Sequence, residues 1–299
     1  MGLKLKKLYW MVVLILTWNC AEAETLRMGI LPVIDTLPLQ VAIKEGDFKD
    51  VGLTVKLVPF MSAMERNTAM HSGQLDGFFG DIPATLLLVK NRIPIKFLTV
   101  SYRTDPDQRM FGLVVSPSLG KSPKKSTLTV AMSKASIIEY LLDQMKYLPE
   151  AERYKLKYIE IRRMPIRLQM LLTGKIDSAL LPEPLVTLAL SKGAHLILTD
   201  QALDIPLTVL NIHQSKIAYR SRFLKAYRKA VVRVNESPEK YRKLMGKTCR
   251  IPKPLMGSFP MYRYPLPQLP TEDEVAPVQT WMVEHGLLNN KIPYQQLIR

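Results

Sequence analysis

Shifting the chain by 101 positions lays Gly73-Gln74-Leu75-Asp76 on Gly174-Lys175-Ile176-Asp177 and Pro83 on Pro184. A shift of 102 lays the strand-like run at 25–30 on the run at 127–132. Solenoid units repeat every 20 to 50 residues, so a period near 100 marks a duplicated domain instead. In each copy, short apolar runs bounded by turn residues alternate with helical spacings. The first copy reads strand 26–31, helix 37–45, strand 53–58, helix 63–71, strand 77–79, helix 83–90 and strand 96–100. The second reads 127–132, 136–147, 158–161, 166–172, 178–181, 184–191 and 196–198 in the same order. Such alternation is the pattern of mostly parallel sheets with crossover helices, and it predicts two similar α/β lobes. The remainder, 207–299, is too short and too helical for a third lobe. Its longest helical pattern, 222–234, puts Phe223, Tyr227, Ala230, Val231 and Val234 on one face and Arg222, Lys225, Lys229 and Arg233 on the other.

The first residues carry a different signal. Lys4, Lys6 and Lys7 precede an apolar core at 8–16, and Ala21-Glu22-Ala23 offers the small residues that a signal peptidase reads. The core is far shorter than the roughly 20 residues needed to span a bilayer. Residues 1–23 therefore read as a cleaved export signal, and the mature chain is expected to be periplasmic or otherwise extracytoplasmic. Lipid attachment at Cys20 fits less well, because Thr17-Trp18-Asn19 is bulky and polar where small residues are wanted. Cleavage after Ala23 leaves Cys249 as the one cysteine, which excludes a disulfide framework and reads as a small buried hydrophobe.

The formal net charge of +16 invites a nucleic-acid reading, and 215–250 holds 12 Lys and Arg against 2 acidic residues. An export signal and the lack of any accompanying binding motif argue against nucleic acid as a partner. A solvated basic face, a dock for an anionic envelope surface, or a device to steer an anionic ligand all remain open. The four histidines show no paired metal-ligand spacing, so neither a metal nor a cofactor is expected. No GxxxxGK[ST] loop is present, so any ATP hydrolysis must reside in a partner.

Four segments occur in order: LRMGILPVIDTLPLQVAIKEGDF, SAMERNTAMHSGQLDGFFGDIPATLLL, GKIDSALLPEPLVTLAL and LPTEDEVAPVQTWMVEHGLL. Together they resemble the substrate-binding proteins of ABC importers, of the nitrate, sulfonate and taurine type that also includes pyrimidine-precursor binders. The resemblance implies a two-lobed type II periplasmic binding protein fold, each lobe a mostly parallel sheet with flanking helices. It places lobe 1 at 24–101 plus 212–299 and lobe 2 at 113–204, with hinge crossovers at 102–112 and 205–211. It further implies a monomer without catalysis that takes a small anionic or polar organic ligand and delivers it to an ABC permease and its ATPase subunit. The alternatives are an enzyme of the same fold, of the menaquinone or thiamine-precursor type, and a ligand-sensing receptor.

In open α/β sheets, ligands sit beyond the carboxyl ends of the strands, where helix N-termini present unpaired N–H groups. In lobe 1 this picks out Val33, Ile34, Asp35 and Thr36, then Met61 and Ser62, then Gly80 and Asp81. In lobe 2 it picks out Ser133, Lys134 and Ala135, then Pro182 and Glu183. Asp35, Thr36, Ser62 and Asp81 are also suited to capping the helices that follow them. The Glu183-Pro184 step borders the cleft in the resembling family. Lys134 suits an acidic group, and the apolar loop from Leu31 to Ile34 suits a hydrophobic ligand body. Tyr102 and Asn211, at the crossovers, complete the candidate set.

Overall fold

The computed structural model describes residues 24–299, so the export-signal reading of 1–23 lies outside the described residues. The strands are β1 (Glu24–Ile30), β2 (Leu53–Pro59), β3 (Gly77–Gly80), β4 (Ile95–Arg103), β5 (Phe111–Val115), β6 (Thr127–Met132), β7 (Lys155–Glu160), β8 (Ser178–Pro182), β9 (His195–Thr199) and β10 (Pro206–His213). They form two five-stranded sheets, ordered β2-β1-β3-β10-β4 and β7-β6-β8-β5-β9. The fold is two-lobed α/β. Helices α1 (Leu37–Lys44), α2 (Ala63–His71) and α3 (Ile82–Lys90) accompany the first sheet. The second carries α4 (Ile137–Met145), α5 (Met164–Leu172) and α6 (Leu185–Ser191).

One strand of each sheet runs against the others, and it comes from the far side of the chain's passage between lobes. β10 lies antiparallel between β3 and β4. β5, which precedes the rest of lobe 2 in sequence, lies antiparallel between β8 and β9. Most of the expected crossover at 205–211 is β10. Residues 206–212 are buried throughout, and without them β4 has no neighbour in its sheet. The other crossover is likewise shorter than 102–112, because Tyr102 belongs to β4 and Phe111 begins β5. The two linkers that remain touch: Thr104 N–H donates to the Ile205 carbonyl at 3.0 Å, and Ile205 N–H donates to Thr104 Oγ1 at 2.9 Å.

The repeated Gly-x-x-Asp motif has a structural meaning. Gly73 and Gly174 adopt φ of +73° and +71° just after α2 and α5, a left-handed conformation that glycine takes without steric penalty. Each motif aspartate then ties the turn to the equivalent strand of its lobe, β1 or β6. Asp76 accepts from Arg27 N–H at 2.8 Å and Arg27 Nε at 2.9 Å. Asp177 accepts from Thr129 N–H at 2.9 Å and Thr129 Oγ1 at 2.8 Å.

The tail folds back on lobe 1 as α7 (Arg220–Glu236), α8 (Arg242–Thr248), α9 (Lys253–Met256), α10 (Glu272–Glu284) and α11 (Tyr294–Ile298). Phe223, Tyr227, Ala230, Val231 and Val234 are all fully buried, and α7 packs on α1. Part of its basic face is ion-paired, with Arg233 Nη1 2.6 Å from buried Asp47 and Lys229 Nζ 3.2 Å from Asp50. α10 starts from a capping box formed by Thr271 and Glu274 and packs on α3. Its other side meets lobe 2. Trp281 Nε1 donates to Asp143 of α4 at 2.8 Å, His285 Nε2 lies 3.0 Å from the same oxygen, and the Tyr140 ring meets Trp281 edge-on at 5.3 Å.

Candidate ligand-binding cleft

The two lobes close over a cavity of about 60 Å³ at the carboxyl ends of their parallel strands. Lobe 1 lines it with Val33, Asp35, Arg66, Phe79, Gly80 and Asp81; lobe 2 supplies Phe111, Ser133, Ser136, Ile137, Arg167 and Pro182. Outward it meets a groove of about 490 Å³ between α2, α3 and the 133–136 loop, with Lys134, Glu160 and Arg162 at the mouth. Ala135 turns that loop with φ of +53°, a conformation that strains a residue with a side chain.

Asp81 joins the lobes. One carboxylate oxygen caps α3 by accepting from Ala84 N–H at 2.7 Å, and the other accepts from Ile137 N–H, the first residue of α4, at 3.3 Å. Two helix N-termini from opposite lobes thus converge on one acid, which both favour as an anion. Burial raises its pKa, and the Arg66 charge works in the opposite direction.

Arg66 and Arg167 are both almost wholly inaccessible, with 1% and 0% exposure. The domain shift that aligns the glycines also aligns these arginines, which hold equivalent places. Arg66 Nη1 donates to the Phe79 carbonyl at 2.7 Å, and Arg167 Nη1 donates to the Leu180 carbonyl at 3.1 Å. Arg167 also reaches Ser133 Oγ and donates through Nε to the Ile161 carbonyl at 3.0 Å. Burial lowers the pKa of both to about 10, and for Arg66 the Asp81 charge acts against it.

Asp35 is 3% exposed, and burial pushes its pKa up to about 7 despite hydrogen bonds from Thr208 and its own backbone N–H. A carboxyl whose folded pKa is raised binds more protons folded than unfolded. Its contribution to stability is therefore full below about pH 3.8, where the unfolded group titrates, and is lost as pH rises through about 7. At roughly 1.4 kcal/mol per pKa unit, the swing reaches up to about 4 kcal/mol. Asp35→Asn removes it, so denaturant melts will show the variant gaining on the parent protein between pH 5 and pH 8. An offset that does not change with pH would contradict the assignment.

Of the residues expected from sequence, Val33, Asp35, Gly80, Asp81, Ser133 and Pro182 line the cavity. Lys134 and Ala135 line the outer groove. Met61 lies in a separate slot with Pro32, Cys249 and Arg250. The others are absent from the cavity wall, most of them with their polar atoms turned to structural partners, whereas the buried Tyr102 hydroxyl has no hydrogen-bond partner. Ser62 caps α2 through Glu65 N–H at 3.2 Å, Thr36 Oγ1 donates to the Val33 carbonyl at 2.7 Å, and the Ile34 carbonyl accepts from Tyr264 at 2.9 Å. Asn211 Oδ1 accepts from Thr85 Oγ1 at 2.9 Å inside the first lobe. Tyr102 is buried behind the cleft, edge-on to Tyr262 and Tyr264. Glu183 is fully buried against Arg109 at 2.5 Å, and it caps α6 through Thr187 N–H at 3.1 Å. The cavity residues not singled out in the sequence are led by Arg66 and Arg167. The signal was present, since the shift of 101 carries one onto the other.

Two α/β lobes that exchange one antiparallel strand, with a cleft at their strand ends, define the type II periplasmic-binding architecture. Residues 19–103 match the model of the NMT1-like family. No curated protein sequence matches the chain. Solved structures share the fold at low identity. The ligand-binding component of an ABC-type import system from Staphylococcus aureus, solved with zinc bound, is 16% identical over 92% of this chain and 96% of that one, with a TM-score of 0.73. The periplasmic aliphatic sulphonate binding protein SsuA from Escherichia coli is 18% identical over 92% of both chains, with a TM-score of 0.71. The periplasmic nitrate-binding protein NrtA from Synechocystis PCC 6803 is 14% identical over 76% of this chain and 66% of that one, at 0.59. The neighbours share the two-lobed fold that the sequence resemblance implies.

Among the described residues, no three His, Cys, Asp or Glu side chains group as metal ligands. No described helix is long and apolar enough to cross a membrane. None of the four histidines lines the cavity. Burial pushes the Cys249 thiol up to about 12, and it donates to the Val33 carbonyl at 3.3 Å, a state unsuited to nucleophilic attack.

Proposed function

We propose that this chain is a non-catalytic, extracytoplasmic solute-binding protein that closes its two lobes on a small anionic or polar organic molecule and delivers it to an ABC permease with its ATPase. The observation that carries the reading is the cavity between the lobes, where buried Arg66 and Arg167 face a largely apolar wall. Ligand contacts made by both lobes favour the closed form, and the permease recognises that form by population shift. Delivery in place of sensing is supported by the ABC-type import system component among the structural neighbours.

Thermal unfolding against a panel of sulfonates, nitrate, pyrimidines and amino acids tests it. A ligand held at 100 times its Kd adds about 2.7 kcal/mol to the folded state, which raises Tm by a few degrees. Small-angle scattering on the same samples should show the particle contracting. Turnover of a panel compound, or no response to any of them, would sink the receptor reading.

A further inference from the structure

We infer that the outer face of α7 docks on an anionic phospholipid bilayer and leaves the cleft free while it does so. The surface is separate from ligand binding, since no residue of α7 lines the cavity or the outer groove.

The make-up of the helix leads there. Its 17 residues hold six Lys and Arg against one acid, Glu236, and they extend for about 25 Å. Ser221, Lys225, Arg228 and Val232 follow one another at steps of four, three and four, which sets them in one line along the helix. All four are exposed, and a groove of about 610 Å³ follows the line. The acids packed nearby do not neutralise it. Asp47 and Asp50 pair with Arg233 and Lys229 on one flank of α7. Glu45 pairs with Lys240 and Glu239 with Arg242, past the end of the helix. Arg220 donates to the Ile298 carbonyl at 2.7 Å. Arg222 lies over the Tyr219 ring at 4.9 Å, and Arg228 donates to the Pro267 carbonyl at 3.3 Å, both neutral partners. Among the described residues, Arg222, Lys225 and Arg228 are paired with no carboxylate.

A bilayer suits this face better than a protein does. Protein hot spots are led by Trp, Tyr and Arg seated in desolvated pockets. The exposed line of α7 has no aromatic ring, and its cations stand on flexible stems in water. Such a row needs no fixed partner geometry, and a fluid layer of phosphate headgroups meets it. Clusters of four to eight basic residues on an amphipathic helix bind anionic headgroups, each cation strengthening adsorption about five-fold. The apolar members are aliphatic. Val232 is 36% exposed, and Leu266 is 49% exposed on a segment held beside α7 by Asn235, which donates to the Tyr264 carbonyl at 2.8 Å, and by Arg228. The formal net charge of +16 draws the whole chain toward the same kind of surface.

The test is vesicle co-sedimentation of the chain from Glu24, which holds both lobes. Phosphatidylcholine vesicles with one-third phosphatidylglycerol should bind it at least ten-fold more tightly than phosphatidylcholine alone. Salt near 1 M should erase the difference, because charges then act over only about 3 Å. Replacing Arg222, Lys225 and Arg228 together by Gln should weaken binding about a hundred-fold. Replacing Lys121, Lys124 and Lys157, exposed on lobe 2, gives the same net charge and should leave binding as it is. Both triple variants should melt with the parent protein, since every replaced side chain is exposed. Cys249 is buried, so a polarity-sensitive dye can be placed by Val232→Cys or by Lys157→Cys. The first should shift to the blue on the anionic vesicles and the second should not. Equal losses in the two triple variants, or a dye response on lobe 2 without one on α7, would overturn the inference. Failure to bind anionic vesicles would overturn it as well, and would leave the basic face to an acidic protein surface or to solvent. Ligand-induced stabilisation is read in melts without vesicles, so the receptor reading stands or falls separately.

Discussion

Replacing Glu183 by alanine will cost about 3–5 kcal/mol of folding stability, the range for breaking a buried ion pair from one side. The carboxylate is fully buried and accepts from Arg109 Nε at 2.9 Å, from Thr187 N–H at 3.1 Å and from Thr187 Oγ1 at 3.0 Å. Truncation strands the guanidinium and uncaps α6 at once. Arg109 belongs to the linker between β4 and β5, and its carbonyl accepts from Tyr262 of the tail at 2.7 Å, so the loss reaches the joint between lobes. Glu183→Gln keeps the shape and part of the hydrogen bonding, and should recover a fraction of the loss. Urea melts of the three proteins give the numbers. The increment that a saturating ligand adds should be the same in each. A variant of normal stability that no longer responds to ligand would return Glu183 to the binding surface.

The second large effect is expected at Trp281. It is 5% exposed, packs edge-on with Tyr140 and donates to Asp143, so the α10 helix of lobe 1 grips the α4 helix of lobe 2 through it. Trp281→Ala should cost about 3–5 kcal/mol, the usual range for large aromatic truncations. Much of that loss falls on the closed arrangement, since the partners lie in the other lobe. Trp281→Phe separates packing from hydrogen bonding: it keeps a ring against Tyr140 and deprives a buried carboxylate of one donor, for about 1–3 kcal/mol. Scattering should report a larger radius of gyration for ligand-free Trp281→Ala than for the parent protein, with Trp281→Phe between them. Equal radii in all three would show that this contact does not hold the lobes together.

The duplicated lobes, their strand and helix order and the burial of one face of α7 were legible because they are periodic properties of the chain. β5 and β10 were not, because each sits where the repeat has no counterpart next to it in sequence. Residues 206–212 look like any short apolar run, and only the gap between β3 and β4 makes them a strand of lobe 1. In the cleft, helix-start logic found Asp81 and Ser133 but could not tell them from Ser62, which has the same capping chemistry turned away from the cavity. Asp35 was legible as an acid in a cleft loop; its near-complete burial was not, since burial is set by packing between parts of the chain far apart in sequence. The shift of 101 pairs Arg66 with Arg167, but only the fold shows both turned inward.

The exchange of strands also dictates an order of events as the chain emerges from its amino end. By residue 199 the whole of the second sheet has been made, and its five strands form an unbroken stretch of sequence. The first sheet at that moment lacks its fourth member, and β4, buried along Ile95–Tyr102 in the finished protein, has nothing to pair with. An apolar strand with open edges is a template for wrong association. The lobe that begins first is thus the last to be completed, and its most vulnerable strand waits more than a hundred residues for its neighbour.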